Sequence, residues 1–401
     1  MSSISEALIR TILDSRGNPT VEVEIAADGV VGRAAAPSGA STGVHEVAAF
    51  PAGGVDAAIR AFADRIRGPL TGRDVADQKG IDGLLHTLDP SPKFTAIGGN
   101  VAVAVSIACA RAAAGVRGVP LFQYLARGRP RIPFPMGNVI GGGRHAIGGT
   151  TIQEFLAVAE APSAAAAVSA NAEVHRAVRD RLAALLPGTA LGRGDEGAWV
   201  APLEDERALD IVRDACRAVS ISRGHAVLPA VDFAASEFFR DTRYHYGKRA
   251  LTAGEQIEFV AELASRFSLY SVEDPLDQDD FDGWAELTDR VGERCMVIGD
   301  DIFATSVARL QRGIEAGAAN AILIKPNQIG TLTDTEAAVE VAHRNGYRTV
   351  MSHRSGETTD DAIAHLAVAY GCVAIKTGVV GGERVAKLNE LIRIEEQIAE
   401  A

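Results

Sequence analysis

Cysteine is scarce in this chain, and its spacing excludes the common thiolate metal sites and disulfide frameworks. The four cysteines, Cys109, Cys216, Cys295 and Cys372, lie far apart among 401 residues, without a CxxC pair or a histidine at metal-ligand spacing. We therefore expect buried thiols in a reducing compartment. Tracts rich in proline, glutamine or serine are also lacking, which argues against a disordered region.

Long apolar runs and surplus positive charge are lacking as well. We expect neither a signal sequence nor a membrane span, because charged residues such as Glu6 and Arg10 interrupt the N-terminal segment, and we place the chain in the cytoplasm. The formal net charge is -12 at pH 7, whereas binding to nucleic acid requires clustered lysine and arginine. We therefore expect no nucleic-acid partner, and a small anionic substrate would need a locally cationic pocket.

The length and the apolar pattern of the first part predict a separate α+β domain. A chain of 401 residues exceeds one small core. Alternating apolar residues over 21–25 and 33–36 predict antiparallel strands, and residues 54–127 are predicted to be mainly helical. The stretch 100–114 is apolar on all sides, which predicts a buried helix. The first domain is therefore predicted to span residues 1–127.

Residues 128–401 alternate short apolar runs with amphipathic stretches, as is typical of a βα barrel. Six of these runs end in a charged or polar side chain, and after the second the intervals fit one strand plus one helix. In a βα barrel the C-terminal strand ends assemble the site. The six side chains are Asp232, Glu273, Asp300, Lys325, His353 and Lys376.

Three of the six strand ends carry carboxylates, Asp232, Glu273 and Asp300. Carboxylate oxygens are hard ligands that suit octahedral Mg²⁺. Each aspartate or glutamate alone could instead cap the following helix, because acidic side chains are common at N-caps. Three of them beside two lysines favour a metal site, and whether the neighbouring Asp301 takes part in it is left open.

The lysines and one polar loop predict the remaining chemistry of the barrel mouth. Lys325 and Lys376 are predicted to point into the same mouth, where burial and neighbouring cations would lower the pKa of one of them to that of a usable base. The alternative is two solvated lysines at the rim. The run 352–356 offers a cation and a hydroxyl that suit a phosphate, and a satisfied loop arginine is the alternative there.

Two glycine-rich stretches, 141–149 and 378–382, do not predict a nucleotide site. Neither completes GxGxxG or GxxxxGK[ST] between a strand and a helix. His145 lies in the first stretch, and a lone histidine is more often structural than catalytic, although a glycine-flanked loop favours exposure.

Taken together, motifs along the chain resemble the enolase family in order and spacing. The resemblance spans nearly the whole chain, and several strings are long and specific. It implies an α/β fold, with an N-terminal α+β domain followed by a modified (β/α)8 TIM-like barrel of the enolase type. The strings are LDSRGNPTVEVEI, PSGASTGVHE, QEF, GDEG, DFAASEF, SVEDP, GDD, ILIKPNQIG, SHRSGET, IKTG and RVAKLNELIRIEE.

The resemblance implies a Mg²⁺-dependent hydro-lyase, phosphopyruvate hydratase, which reversibly dehydrates the small phospho-acid 2-phosphoglycerate to phosphoenolpyruvate. By the same likeness, Asp232, Glu273 and Asp300 would hold the metal, and Ser41, in a loop that closes over the substrate, would bind a second Mg²⁺. A lysine or histidine base with Mg²⁺ stabilising the ene-diolate is the general pattern of this superfamily.

The other site residues are likewise implied by the resemblance. Lys325 would take the proton from carbon 2, Glu196 would protonate the departing 3-hydroxyl, and Glu154 would assist Glu196. Lys376 would contact the substrate carboxylate. The phosphate and hydroxyl side of the substrate would be lined by His145, Gln153, His353, Arg354 and Ser355.

Three departures from the family pattern leave the substrate open. Residues 141–143 replace Asn-Gly-Gly, residues 47–54 replace an acidic stretch, and residues 378–382 replace a segment that often contains serine and arginine. The first and third are expected near the pocket. An enolase-like enzyme of phosphonate metabolism, such as carboxyphosphonoenolpyruvate synthase, is therefore the alternative, and a non-catalytic binding role is a weaker one. The family also implies a homodimer or a higher homo-oligomer.

Overall fold

The computed structural model describes residues 2–39 and 43–400, and it begins with a three-stranded antiparallel sheet. The strands are β1 (Ile4–Leu13), β2 (Pro19–Ala27) and β3 (Val30–Ala35). The alternation in the sequence predicted β2 and β3 but not β1. Strand β1 lies at the edge of the sheet and buries only Ile4 and Ala7, so that its apolar residues follow no two-residue period.

Helices follow the sheet, as predicted for residues 54–127. They are α1 (Gly54–Ala61), α2 (Arg67–Leu70), α3 (Gln78–Leu88), α4 (Gly99–Val116) and α5 (Leu121–Leu125), with a π-helical turn at Phe62–Ile66. The predicted domain boundary after residue 127 falls in the connection that follows α5, and it stays a prediction.

Helix α4 is the core of this part and packs against β2 and β3. Among the described helices it is the one whose length and apolarity would suffice to cross a membrane, but 83% of it is buried inside the fold, and the predicted buried helix is thereby confirmed. Strand β3 touches the helix backbone at Gly32. A Cβ atom there would lie 2.1 Å from the carbonyl oxygen of Ala108 and 2.4 Å from the amide nitrogen of Ala112.

Eight strands of the second part close into a barrel. In chain order the strands after β3 are β4 (Phe134–Gly141), β5 (Glu154–Glu160), β6 (Gly192–Arg193), β7 (Trp199–Val200), β8 (Ala226–Asp232), β9 (Phe239–Arg240), β10 (Arg243–Tyr246), β11 (Arg249–Leu251), β12 (Ser271–Glu273), β13 (Met296–Gly299), β14 (Ala321–Ile324), β15 (Arg348–Ser352) and β16 (Ala374–Lys376). The barrel order is β4-β5-β8-β12-β13-β14-β15-β16, and β16 pairs with β4.

Strand β5 is antiparallel to both its neighbours, whereas the other barrel strands run parallel. The predicted fold class, with a modified barrel, is therefore confirmed. The apolar runs predicted six barrel strands and missed β4 and β5. Strand β4 contains a proline and two glycines, which are weak strand formers. A separate core of inward-facing apolar side chains, including Met136, Ile298 and Leu323, fills the barrel.

Helices surround the barrel. They are α6 (Ala164–Leu185), α7 (Asp205–Arg223), α8 (Ala253–Phe267), α9 (Phe281–Val291), α10 (Val307–Ala316), α11 (Pro326–Ile329), α12 (Leu332–Arg344), α13 (Ala362–Ala369) and α14 (Gly382–Glu400). Short 3₁₀ turns lie at Gly143–His145 and Ala235–Phe238.

Replacing Gly32 with alanine is expected to destabilise the N-terminal part, because the added methyl group must push β3 away from the backbone of α4. Overpacking of this kind costs about 1–3 kcal/mol in the free energy of unfolding, which urea denaturation would measure. Gly83→Ala is the control, since nothing lies within 4 Å of its added Cβ atom and it is expected to stabilise helix α3 by about 0.4–1 kcal/mol. Equal stability of the two variants would contradict the packing described here.

Candidate active site

Strand register brings the three predicted carboxylates together at the barrel mouth. Glu273 is the register partner of Asp232 on the parallel pair β12 and β8, and Asp300 directly follows the next strand, β13. All three side chains are buried. The C-terminal ends of adjacent strands therefore present three carboxylates to one space, as the spacing of the apolar runs predicted.

Lys376, at the end of β16, pairs with two of these carboxylates and with a third carboxyl group, that of Glu154. Its Nζ atom lies 2.9 Å from Asp232 Oδ2, 2.8 Å from Glu273 Oε1 and 3.2 Å from Glu154 Oε1. A buried charge is tolerated when it is paired and hydrogen-bonded. The ammonium group thus makes the burial of three carboxylates possible.

Lys325 pairs with the third metal-ligand candidate. Its ammonium group donates to Asp300 Oδ2, while Gln328 Nε2 donates to Asp300 Oδ1 at 3.1 Å. Thr305 fixes this arrangement, because its hydroxyl donates to Gln328 Oε1 at 2.8 Å and accepts from the backbone N–H of Lys325 at 3.0 Å. Each group at this strand end therefore has a defined position.

The expectation that burial and cations would lower the pKa of one lysine is wrong. Burial lowers the pKa of Lys325, but the facing carboxylates, Asp300 foremost and Glu273 as well, together outweigh it and the pKa is raised. Burial is likewise outweighed at Lys376, where Asp232, Glu154 and other carboxylates hold the pKa well above its ordinary value. The facing carboxylates decide both directions.

A second group of titratable side chains surrounds Glu196. Glu196 Oε1 lies 3.6 Å from His145 Nδ1 and 3.4 Å from His353 Nε2. Asn138 Nδ2 donates to Glu196 Oε2 at 3.3 Å, and His145 Nδ1 lies 3.4 Å from Glu154 Oε1. The two glutamates are therefore neighbours linked through one imidazole.

The surroundings of the two carboxyl groups shift their pKa values in opposite directions. Burial and the charge of Glu196 hold the pKa of Glu154 well above its ordinary value. Burial also opposes ionisation of Glu196, but the surrounding cations, Arg384 and Lys376 among them, outweigh it and hold its pKa well below the ordinary value. These directions favour a protonated Glu154 beside an ionised Glu196.

The predicted phosphate side contains a forked ion pair that the sequence did not predict. Arg354 Nη1 donates to Glu46 Oε2 at 2.9 Å, and Nη2 donates to Glu46 Oε1 at 3.1 Å. Arg354 Nη1 also donates to Asn327 Oδ1 at 2.9 Å. Through Glu46, the N-terminal part thus holds the guanidinium group in position.

Several buried polar atoms around the cleft lack a hydrogen-bond partner among the described residues. Such atoms are rare in folded proteins unless a ligand or water completes them. A polar ligand is therefore expected in this cleft. The atoms are His145 Nδ1, Glu154 Oε2, Glu273 Oε2, His353 Nε2 and Ser355 Oγ.

A hard divalent cation fits this set of donors. Asp232, Glu273 and Asp300 offer only carboxylate oxygens, and Oε2 of Glu273 has no partner in the described chain. Ligand atoms of Asp274, Asp300 and Asp301 also lie within 4.8 Å of one another. Asp274, however, already accepts the backbone N–H groups of Asp300 and Asp301, both at 2.9 Å, so that its carboxylate fixes the turn after β13.

The cleft gathers nearly all predicted site residues. Its space is about 550 Å³, part of it open to solvent. Glu273 lies against Lys376 and is not among the lining residues, and Ser41 lies outside the described residues. The predicted residues that line the cleft are His145, Gln153, Glu154, Glu196, Asp232, Asp300, Lys325, His353, Arg354, Ser355 and Lys376.

Comparison with known proteins agrees with the geometry. The family model "Enolase, N-terminal domain" matches residues 4–125, and "Enolase, C-terminal TIM barrel domain" matches residues 130–401. The enolase of Halobacterium salinarum is 54% identical over 403 residues, covering 99% of this chain and 100% of the relative. The chain belongs to the enolase family. The predicted family is thereby confirmed, and with it the enzyme class, a hydro-lyase.

Other relatives named enolase cover the same length. That of Natronomonas pharaonis is 53% identical over 98% of this chain and 99% of its own length. That of Methanothermobacter thermautotrophicus is 52% identical over 99% of this chain and 97% of its own length. The similarity therefore includes both the N-terminal part and the barrel.

Sequence reasoning missed four residues that hold this enolase-family site together. Glu46, Asn138, Asp274 and Arg384 contact predicted site residues directly. Three of them lie inside the motifs PSGASTGVHE, SVEDP and RVAKLNELIRIEE. None ends a predicted strand, so the rule that located the other groups gave no signal for them.

Replacing Asp274 with asparagine is expected to destabilise the turn that carries Asp300. The amide group has one oxygen and cannot accept both N–H groups, and an unsatisfied buried donor costs about 1–3 kcal/mol. Asp280→Asn is the matched control, because Asp280 accepts a single N–H, from Gly283 at 3.0 Å, which asparagine also accepts. Thermal unfolding would compare the variants, and equal loss in both would contradict the role of Asp274.

Proposed function

We propose that this chain is a Mg²⁺-dependent phosphopyruvate hydratase, which interconverts 2-phosphoglycerate and phosphoenolpyruvate, the glycolytic reaction. One observation carries the proposal: one buried and one partly buried strand-end lysine face three carboxylates, opposite a pair of neighbouring glutamates. That combination supplies a base, a cation site and an acid in one cleft. It matches the needs of a reaction that removes a proton and a hydroxyl from adjacent carbons.

The difficult step is loss of the proton beside a carboxylate. This proton is very weakly acidic, and its loss places negative charge on the carboxylate oxygens. Mg²⁺ held by Asp232, Glu273 and Asp300, with a second Mg²⁺ at Ser41, would supply Lewis-acid stabilisation of that charge. Lys376 adds a fixed positive charge that requires no rearrangement, because three carboxylates already orient it.

Lys325 is the proposed base at carbon 2. Its position directly after β14 and its contact with Asp300 hold Nζ in the wall of the cleft. As a base the side chain must be in its amine form, and the raised pKa of Lys325 shows that its own neighbours oppose this form. Any cation that neutralises Asp300 favours the amine, which links the base to the metal site.

Glu196 is the proposed acid for the departing 3-hydroxyl. Asn138 donates to its carboxyl group, two histidine nitrogens lie within 3.6 Å of it, and the neighbouring Glu154, whose pKa is raised, favours its protonated form. Glu154 thereby assists Glu196 by storing the proton that the hydroxyl group requires. Arg354, Ser355, Gln153 and the two histidines would bind the phosphate and hydroxyl side.

Neither departure expected near the pocket favours a different substrate. Residues 141–143 and 378–382 contribute no lining residue to the described cleft. The alternative of an enzyme of phosphonate metabolism therefore has no supporting observation in the site. A purely non-catalytic role would not require the compensated burial of so many titratable groups. The homodimer and the cytoplasmic location also stay proposals, supported by membership of the family.

Two substitutions are expected to separate the two halves of the reaction. Lys325→Ala should abolish exchange of the carbon-2 proton of 2-phosphoglycerate with deuterated solvent, because the base is lost. Glu196→Gln should retain this exchange but lower phosphoenolpyruvate formation by at least a hundredfold, in line with about 10²–10⁴ for general acid catalysis. NMR would follow the exchange, and ultraviolet absorbance would follow the product.

The control for these variants is Lys248→Ala, which removes an exposed lysine on the hairpin of β10 and β11 and should behave like the parent chain. Undiminished exchange in Lys325→Ala would overturn the assignment of the base. Loss of exchange in both site variants would show that the roles are wrongly divided.

Removal of one ligand is expected to weaken Mg²⁺ binding. Asp232→Asn should raise the dissociation constant at least tenfold, because the amide oxygen carries no charge. Calorimetric titration of chelator-treated protein would measure this. Glu237→Gln is the control, because Glu237 lines the same cleft but pairs with Arg144 at 2.5 Å. Equal weakening by both substitutions would mean that overall charge, and not ligation, controls the affinity.

A further inference from the structure

We propose that Arg384 is a positioning residue that fixes the hydrogen of His353 on Nε2, where it faces Glu196. The inference rests on the proposed function, in which His353 lines the hydroxyl side of the substrate, and it adds a residue that touches no substrate. It is carried by the hydrogen bonds of one fully buried guanidinium group.

Arg384 lies in the first turn of helix α14, outside the strand ends, and its side chain is 0% exposed. A buried guanidinium group needs partners for its donors, because it is charged at any relevant pH. The two Nη atoms have all their partners in segments that line or adjoin the cleft, and Nε lies 3.3 Å from Glu383 Oε1 on the same helix. The helix therefore inserts a permanent positive charge directly beneath the site.

The guanidinium group ties two active-site loops together. Nη1 donates to the carbonyl oxygen of Arg354 at 2.6 Å, and Nη2 donates to that of Ser355, also at 2.6 Å. Nη2 also lies 3.2 Å from the carbonyl oxygen of Asp195, which precedes Glu196 in the chain. One side chain thus fixes the loop that carries Arg354 and Ser355 relative to the loop that carries Glu196.

The fourth contact fixes the form of the imidazole ring. Arg384 Nη1 lies 2.7 Å from His353 Nδ1. A guanidinium group only donates, so that Nδ1 must present its lone pair, and in a neutral ring the hydrogen then sits on Nε2. That Nε2 atom is buried, lacks a hydrogen-bond partner and lies 3.4 Å from Glu196 Oε1. His353 is therefore a donor aimed at the acid.

The groups around His353 also oppose a second proton on the ring. Burial lowers the pKa of His353 well below its ordinary value, and Arg384, Lys376 and Lys387 lower it further, against the opposing charge of Glu196. These groups come from α14, from β16 and from the loop between β6 and β7. A neutral donor orients the carboxyl group and the hydroxyl without taking up the proton that the reaction moves.

The parent protein offers the first test, without any substitution. Its nine histidines would be labelled with ¹⁵N in the ring, and the resonance of His353 would be assigned by its loss in His353→Asn. We expect the ring of His353 to carry its hydrogen on Nε2, with Nδ1 unprotonated, and we expect no titration of this ring between about pH 5.5 and 8. An Nδ1–H ring, or a ring that becomes doubly protonated in this range, would overturn the proposal.

Variants of α14 test the cause. Arg384→Met should remove the constraint on the imidazole ring of His353, so that a second tautomer or a titrating ring is observed. It should also lower kcat at least tenfold, while the dissociation constant for Mg²⁺ stays within twofold. Arg384→Lys, which keeps the charge and a single donor nitrogen, should restore part of the Nε2–H tautomer and part of kcat. An unchanged Nε2–H ring in a folded Arg384→Met protein would overturn the proposal.

The matched control is Lys387→Met, one turn further along the same helix. Lys387 is also a buried cation, but it donates to the carbonyl oxygen of Thr358 at 2.8 Å and pairs with Glu357 at 2.9 Å. Its loss should leave the tautomer of His353 unchanged, and a changed tautomer there would contradict the specific role of Arg384. The imidazole ring of His353 is observed without substrate, so that an unexpected tautomer contradicts the role of Arg384 and leaves the proposed hydratase activity standing. If the expected tautomer is observed but 2-phosphoglycerate is not turned over, only the proposed hydratase activity is contradicted.

Discussion

The compensated burial of charge at the barrel mouth is the constraint on which the rest of this structure depends. Lys376 holds Asp232, Glu273 and Glu154 within 3.2 Å of its ammonium group, and Lys325 holds Asp300. Removing one partner would leave a buried charge uncompensated, which costs about 3–5 kcal/mol. The strands must therefore keep their register, because a shift of one residue would turn these side chains away from one another.

Residues other than the strand-end side chains hold the surrounding site residues in position. Glu46 in the N-terminal part, Asn138 on β4 and Arg384 on α14 each contact a predicted site residue, and none of them ends a parallel strand. Asp274 fixes the turn beneath Asp300 through two backbone N–H groups. Both the N-terminal part and the last helix therefore contribute to the geometry of the site.

The sequence predicted the barrel and most of the cleft because strand ends follow a simple rule. A parallel strand buried on both faces is an apolar run, and the polar residue that ends it lies at the mouth, so that Glu273, Lys325 and Lys376 could be located from spacing alone. Strand β1 was not predicted, because it lies at the edge of the sheet and buries only two side chains, so that its apolar and polar residues do not alternate. Arg384 and Glu46 could not be predicted, since their partners are distant in the chain, and the direction of the lysine pKa values depended on the same three-dimensional neighbours.

The central claim is that this cleft dehydrates 2-phosphoglycerate. The most direct measurement adds 2-phosphoglycerate and Mg²⁺ to the purified protein and follows the ultraviolet absorbance of phosphoenolpyruvate, with and without a chelator. The account predicts a rapid rise that the chelator abolishes and that returns with added Mg²⁺. A folded protein that binds Mg²⁺ at this site and still yields no phosphoenolpyruvate would contradict it.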